Sequence, residues 1–201
     1  EIRFCDWSSD VCSSDLCLRA ALRISKKDPA LAKTEAEAAV IAPGGLLTAN
    51  ADNAFMITSP TTPHPLGSIS SWNEFRMSAA MESVLKGYND PRMQKFFAPA
   101  SGGVYKGLRN GLSQVQLSQP QNGNAANSNV NASFGFARRG AAPWPVFTAS
   151  ETWFLLAEGK LNGWNMGAGT AQSYYDGGID ASMKRWEITD ATVIANYTAR
   201  F

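Results

Sequence analysis

Apolar residues recur every three or four positions in the first part of the chain, the spacing of an amphipathic helix. From Leu16 onward, Leu18 and Leu22 share one face and basic residues occupy the other. Asp28-Pro29 supplies an N-cap and a proline at the first helical position, and therefore predicts a second helix from Ala30 to Ala42. Helices joined by so short a turn pack antiparallel, so the pattern predicts a helical hairpin.

The middle of the chain is less regular. Prolines and a glycine between residues 46 and 70 predict an irregular surface segment. The stretch Ser71-Trp-Asn-Glu74 matches a capping box and predicts a third helix, which ends at Gly87. Glutamine, asparagine and serine predominate from Gln119 to Asn131, which predicts a solvated loop without a core of its own.

A second hairpin is predicted near the end of the chain. Thr148-Ala-Ser-Glu151 matches another capping box, ahead of a helix from Trp153 to Lys160. A further helix begins at Thr170 and contains Gly177-Gly178, which costs about 1 kcal/mol per glycine relative to alanine. We expect a neighbouring helix to pass close to these glycines. The predicted fold is mainly all-α, with tetratricopeptide-like helical hairpins and long irregular loops.

Composition and charge exclude two classes of function. The chain has 18 lysines and arginines against 17 acidic residues, a formal net charge of +1. No run of basic residues forms the stripe that nucleic-acid binding requires. The longest apolar runs fall far short of the roughly 20 residues needed to cross a bilayer. Neither nucleic-acid binding nor a membrane-spanning helix is therefore expected.

The first residues have an unusual composition. They contain a tandem Ser-Ser-Asp with no helical or strand periodicity, similar to translated sequencing-adapter read-through. We interpret residues 1–16 as a foreign, disordered leader and residues 17–201 as the domain itself. Because Cys5, Cys12 and Cys17 lie in or beside the leader, the cysteines do not indicate a disulfide framework or a compartment.

Several stretches, taken in order, carry a family resemblance: residues 24–37, 48–54, 72–78, 85–92, 144–158, 163–164 and 171–182. The most specific is Trp144-Pro-Val-Phe-Thr-Ala-Ser-Glu-Thr-Trp-Phe-Leu-Leu-Ala-Glu158. In this order the stretches resemble the SusD/RagB-like nutrient-binding lipoproteins. The resemblance covers residues 17–201.

The resemblance implies a helical scaffold whose loops carry the ligand face, held at the cell surface by a lipid anchor in the outer membrane. Such proteins bind an oligosaccharide or polysaccharide without cleaving it, use no cofactor, and form a lid on a TonB-dependent (SusC-like) transporter. Family members are much longer than this chain. We therefore expect a partial domain, truncated at both ends, whose lipid anchor is absent from this fragment.

Sugars present apolar C–H faces ringed by hydroxyls, so a binding site needs exposed aromatic rings flanked by polar groups. The candidates are Trp72 with Asn73 and Arg76, Tyr105 in a glycine-rich loop, and Trp164 between two asparagines. Burial in the core is the alternative interpretation. Burial is the stronger interpretation for Trp72. For Tyr105 and Trp164, which lie in predicted loops, burial and ligand binding have equal weight.

Catalysis has little support in the sequence. His64 is the only histidine, in Pro-His-Pro, and no Gly-x-Ser-x-Gly motif is present. Glu151, one of two acids on the same predicted helix, is explained by its capping role. No spacing of ligands predicts a metal site. The hypothesis is therefore a non-enzymatic carbohydrate-binding lipoprotein. A helical-repeat scaffold for a protein or peptide, and a glycoside hydrolase fragment, remain as alternatives.

Overall fold

The computed structural model describes residues 11–57, 59, 61, 72–132 and 144–201, with only the backbone for residues 11–13. The described chain is mostly helical and contains hairpins of the tetratricopeptide-like type, so the predicted fold class is confirmed. It forms two compact units. Unit 1 comprises the described parts of Glu1–Phe55 and Pro145–Thr189, and unit 2 those of Met56–Trp144 and Asp190–Phe201.

The helices are named here in chain order: α1 (Val11–Ile24), α2 (Pro29–Val40), α3 (Ala79–Gly87), α4 (Met93–Phe96), α5 (Gln114–Leu117), α6 (Ala149–Leu161), α7 (Ala171–Arg185) and α8 (Ala191–Thr198). Two short strands, β1 (Ala54–Met56) and β2 (Trp144–Phe147), pair with each other. None of the described helices is long and apolar enough to cross a membrane.

Unit 1 is built from the two predicted hairpins. Helix α1 packs on α2, α6 packs on α7, and α1 also contacts α6. The N-cap at Asp28 is confirmed, since its side chain accepts a hydrogen bond from the backbone N–H of Leu31 at 3.0 Å. The shared core combines Leu18 of α1, small residues of α2 such as Ala36, and Leu156 of α6. Small side chains in α2 let the helices approach closely.

The capping box predicted at Thr148 is wrong, although a helix does begin there. The Thr148 side chain makes no capping hydrogen bond and instead lies 3.1 Å from the Ser150 hydroxyl. Glu151 forms a two-pronged ion pair with Arg19, each N–H···O distance being 2.6 Å. The Arg19 guanidinium also lies 4.0 Å from the ring centroid of Phe147. A bidentate ion pair with a guanidinium is stronger than one hydrogen bond from a backbone N–H. Glu151 therefore pairs with Arg19 and does not cap the helix.

Helix α1 begins before the predicted start at Leu16. Asp15 is fully buried in unit 1, where it accepts hydrogen bonds from the Thr152 hydroxyl and from the backbone N–H of Leu47. Cys17 is buried and disulfide-bonded, which the sequence interpretation did not anticipate. That residues 1–16 are foreign stays a prediction.

In unit 2, the helix predicted to follow the Ser71–Glu74 capping box does not begin there. Ser71 lies outside the described residues, and Asn73 has a left-handed φ of 58°, which a right-handed helix does not contain. The backbone of Met77 is held in an extended pairing, donating to Ser128 O at 2.8 Å and accepting from Leu108 N at 2.7 Å. The helix therefore begins later, at Ala79, where Ser78 caps it. Its predicted end at Gly87 is confirmed.

The polar stretch from Gln119 to Asn131 contributes to the interior of unit 2, contrary to the prediction of a loop without a core. Ser128 is fully buried and its N–H donates to Lys106 O at 2.8 Å. Val130 forms an antiparallel bridge with Phe97. Helix α8 ends at Thr198, and beyond it Phe201 is stacked on Tyr88 at 4.9 Å between ring centroids.

Candidate functional site

Exposed aromatic side chains mark residues 72–76, called here the Trp72 loop, in unit 2. Trp72 is 63% exposed and Phe75 is 48% exposed. The core interpretation that the sequence favoured for Trp72 is therefore wrong. Large aromatic rings held in water offer flat apolar surfaces on which a ligand can stack.

The conformation of the Trp72 loop is fixed by the side chain of Arg76. Its Nη1 donates to the backbone carbonyls of Asn73 at 3.1 Å and Phe75 at 2.6 Å. Its Nη2 donates to Asn73 Oδ1 at 3.0 Å, and its Nε to Asn124 O at 2.9 Å. One guanidinium thus joins the loop to itself and to a segment some fifty residues later.

Two asparagines of that later segment complete the arrangement. Asn124 Nδ2 donates to the carbonyl of Asn73 at 2.9 Å, and Asn129 Nδ2 donates to Asn73 Oδ1 at 3.2 Å. Asn73 therefore accepts at both of its oxygens while its backbone is left-handed, a conformation that asparagine tolerates better than most residues. The loop is held by amide and guanidinium groups rather than by apolar packing.

The electrostatics of the loop are mild. Partial burial lowers the pKa of the Arg76 guanidinium, which nevertheless stays charged at physiological pH. Glu74 is exposed within the loop. The nearby Lys106 ammonium donates to Gln121 O at 2.9 Å. Such a surface suits stacking and hydrogen bonding to neutral polar groups.

Tyr105, predicted from its glycine-rich loop, also lies in unit 2 and is partly exposed. The neighbouring Lys106 is paired with Ser128, its backbone N–H lying 3.0 Å from the Ser128 hydroxyl oxygen. Because Ser128 adjoins Asn129, the segment that holds the Trp72 loop also holds the backbone beside Tyr105. The structure thus connects Tyr105 to the candidate site through one shared segment.

Trp164 has a different environment. It lies in unit 1, is only 8% exposed, and belongs to the same core cluster as Leu156 and Met166. Four of the five candidate residues are therefore in unit 2, and Trp164 is not. A ligand role for Trp164 remains a prediction that its burial does not favour.

Three contributors were missed from the sequence: Phe75, Asn124 and Asn129. Phe75 was not among the candidates, and its exposure follows from the loop conformation that replaces the predicted helix. The two asparagines had no local signal, because their partner Asn73 lies about fifty residues earlier. The amide-rich composition of residues 119–131 is the one sequence signal that points to this segment.

Within the described residues, no group of three or more histidine, cysteine, aspartate or glutamate side chains is arranged to hold a metal ion. His64, the histidine considered for catalysis, lies outside those residues. What the structure does present is a helical-hairpin scaffold with an aromatic loop fixed by amides. The described residues thus belong to a mainly helical protein with an exposed aromatic loop.

Comparison with known proteins shows the family of the chain. The family model described as SusD and RagB outer membrane lipoprotein matches residues 7–199. The chain belongs to this SusD-like family. The match begins ahead of the boundary that we predicted at residue 17.

Solved structures of the family resemble the chain closely. A chitin-binding SusD homolog from Flavobacterium johnsoniae is 40% identical, with a TM-score of 0.77 over 90% of this chain and 36% of its own. A SusD homolog from Bacteroides vulgatus is 30% identical, with a TM-score of 0.80 over 92% of this chain and 36% of its own. A chitin-binding protein is 25% identical, with a TM-score of 0.79 over 95% of this chain and 44% of its own.

The chain thus spans well under half of the length of these relatives. No curated protein matches it at a significant level.

Proposed function

We propose that the chain is part of a carbohydrate-binding lipoprotein of the outer membrane, exposed at the cell surface, which captures an oligosaccharide without cleaving it. Membership of a family described as outer membrane lipoproteins supports the proposed location. The exposure of Trp72 on a loop that Arg76, Asn124 and Asn129 hold in place supports the binding role. A ring that is already exposed and ordered stacks on a sugar at little entropic cost.

The ligand class that we propose is a β-linked N-acetylated glycan. Two of the similar structures are described as chitin-binding, one of them at 40% identity. Amides such as those of Asn73 and Asn129 suit hydrogen bonding to hydroxyl and acetamido groups. Stacking on Trp72 and Phe75 would supply most of the affinity, with the amides setting orientation.

Retention on insoluble chitin, competed by free chitohexaose, tests the binding role. Retention that persists at high salt is expected, because stacking is not screened by ions. Trp72→Ala should weaken chitohexaose binding by about tenfold or more, corresponding to a loss of about 1.5 kcal/mol, in isothermal titration calorimetry. Trp72→Phe keeps a ring and should lose less.

A matched control comes from an exposed apolar residue of unit 1. Leu161→Ala removes a solvent-facing side chain of α6 and should leave chitohexaose affinity unchanged. Equal binding by the Trp72→Ala variant would remove Trp72 from the site. Binding to another glycan but not to chitohexaose would correct the ligand class, and release of reducing ends would indicate a hydrolase instead.

Delivery of the bound glycan to a TonB-dependent, SusC-like transporter is the finer part of the proposal, and only the family supports it. Affinity purification of the tagged native protein from outer membranes tests it. Co-purification of a β-barrel receptor in a stoichiometric amount is expected. Recovery without any receptor in mild detergent would contradict the partnership and leave the glycan proposal intact.

A further inference from the structure

We infer that Arg76 is a positioning residue of the Trp72 loop: its guanidinium holds the aromatic surface in place from within and does not itself contact the ligand, which is an uncharged glycan. This inference rests on the proposed function. It differs from the sequence prediction, in which Arg76 was a direct binding residue.

The hydrogen bonds of Arg76 carry the argument. An arginine side chain has five N–H donors in one planar group. Arg76 uses Nε for Asn124 O, Nη1 for the carbonyls of Asn73 and Phe75, and Nη2 for Asn73 Oδ1. One donor is left for anything else. A guanidinium committed in this way is a structural clamp.

The clamp stabilises a conformation that the loop would otherwise leave. Asn73 is left-handed, and its backbone carbonyl is held by both Arg76 and Asn124. Without these donors the loop samples other conformations, and a ligand that needs the present one must then reorder it on binding. That ordering cost reduces affinity even though no ligand contact is lost.

The same hydrogen bonds favour an uncharged ligand. The acceptors of Arg76 are carbonyl and amide oxygens, so its positive charge is already solvated by the protein. The loop also carries the exposed carboxylate of Glu74. An acidic sugar would meet this carboxylate, while the cations Arg76 and Lys106 already donate to backbone carbonyls of the protein. A neutral sugar pays no such penalty.

The test compares Arg76→Gln, Asn124→Ala and their double variant in two measurements. The first is hydrogen–deuterium exchange of the ligand-free protein, followed in peptides that cover residues 72–77 and 124–129. The second is affinity for chitohexaose. Arg76→Gln should speed exchange in both peptides and weaken binding by about tenfold, since hydrogen bonds to a charged group are lost.

Asn124→Ala should act in the same direction, and the double variant should lose less than the product of the two single losses, because both side chains hold the Asn73 carbonyl. Arg76→Lys should resemble Arg76→Gln, since an ammonium cannot span four acceptors in the geometry of the planar fork. Arg200→Gln is the matched control. Arg200 also donates to backbone carbonyls in unit 2, those of Tyr88 and Asn196, and its loss should change neither measurement in the Trp72 loop.

A hyaluronan hexasaccharide serves as the charged probe, and it should bind at least about tenfold more weakly than chitohexaose. Reduced affinity with unchanged exchange would make Arg76 a ligand contact and overturn the inference. Faster exchange with unchanged affinity would overturn it as well. Failure of the proposed function appears separately, as the absence of chitohexaose binding by the wild-type protein.

Discussion

The ring of Phe154 on α6 lies directly against the backbone of Gly178 on α7. A Cβ placed on Gly178 would come within 2.5 Å of Phe154 Cε1. One turn earlier on α7, Tyr175 contacts the same ring at 5.4 Å between centroids. The absence of a side chain at residue 178 is therefore what lets α6 and α7 approach as closely as they do.

Gly178→Ala should destabilise unit 1 for this reason. Alanine gains about 1 kcal/mol from helix propensity. The clash with Phe154 costs typically 1–3 kcal/mol, so we expect a net loss of about 1 kcal/mol in the free energy of unfolding. Urea denaturation followed by circular dichroism measures it. Gly87→Ala is the control, because nothing lies within 4 Å of a Cβ there and the change should be neutral or stabilising.

The two hairpins of unit 1 could be predicted because their signals are local. Asp28-Pro29 predicts the start of α2, and the glycine pair in α7 indicates that a neighbouring helix packs closely against it. Capping boxes were less reliable. At Thr148 the expected glutamate found a better partner in Arg19, 132 residues away in sequence, and no local pattern reveals such competition.

The candidate site depends even more on contacts between residues that are far apart in sequence. Trp72, Asn73 and Arg76 form one predicted group because they are close in sequence, but the pattern predicts a helical backbone for them. The pairing of Met77 with Ser128 and Leu108 excludes that helix. Burial of Trp164 likewise follows from packing between α6 and the turn after it, which a loop-like sequence does not disclose.

Asp15 should make the stability of unit 1 fall as pH rises. Burial raises the pKa of its carboxyl group, and the hydrogen bonds from Thr152 and Leu47 only partly offset this effect. The folded state then holds its proton at pH values where the unfolded state has lost it. Hence the free energy of unfolding declines from the ordinary carboxylate pKa up to the raised one.

Asp15→Asn removes that titration. An asparagine can still accept from Leu47 through Oδ1 and donate to the Thr152 hydroxyl, so the contacts survive without the charge. The variant should be more stable than the wild type at neutral pH and should show a flatter pH profile in thermal unfolding. Asp180→Asn, on an exposed pair with Lys184, should leave the profile unchanged. A steeper decline in Asp15→Asn would contradict the assignment.

Asp90 has the opposite effect on the pH dependence of stability in unit 2: it should make the free energy of unfolding fall as pH falls. Burial alone would raise the pKa of its carboxyl, but the hydrogen bonds and charge of Arg92 outweigh it and hold the pKa below its ordinary value. Arg92 Nη2 lies 2.5 Å from Asp90 Oδ2, and the Tyr197 hydroxyl donates to the same oxygen at 2.9 Å. The stabilisation by ionised Asp90 is complete above the pKa that its carboxyl has in the unfolded state. It is lost as pH falls through the lower pKa of the folded state.

Replacing Asp90 with asparagine should therefore cost about 3 kcal/mol at neutral pH, since the largely buried Arg92 guanidinium loses the carboxylate with which it forms an ion pair. Tyr197→Phe removes one neutral donor and should cost about 1 kcal/mol. Denaturation at several pH values should show the Asp90→Asn and wild-type curves converging toward acid. A constant difference down to the acid limit would show that the loss does not come from ionisation of Asp90.

Helix α3 carries an apolar stripe that faces solvent in the described chain. Met81, Val84 and Tyr88 follow helical spacing and are all exposed, and Phe201 extends the stripe by stacking on Tyr88. Contiguous apolar surface of this kind promotes association. We expect the chain to self-associate at micromolar concentration, as measured by multi-angle light scattering.

Val84→Lys and Val115→Lys separate this stripe from general surface charge. Both valines are exposed, at 54% and 73%, but Val115 lies on α5 and outside the stripe. Burying one valine contributes about 1.5 kcal/mol or more, so Val84→Lys should weaken association by at least about tenfold while Val115→Lys has little effect. Equal improvement by both variants would mean that net charge, and not the α3 stripe, controls association. A monomeric wild type would show that the stripe does not self-associate.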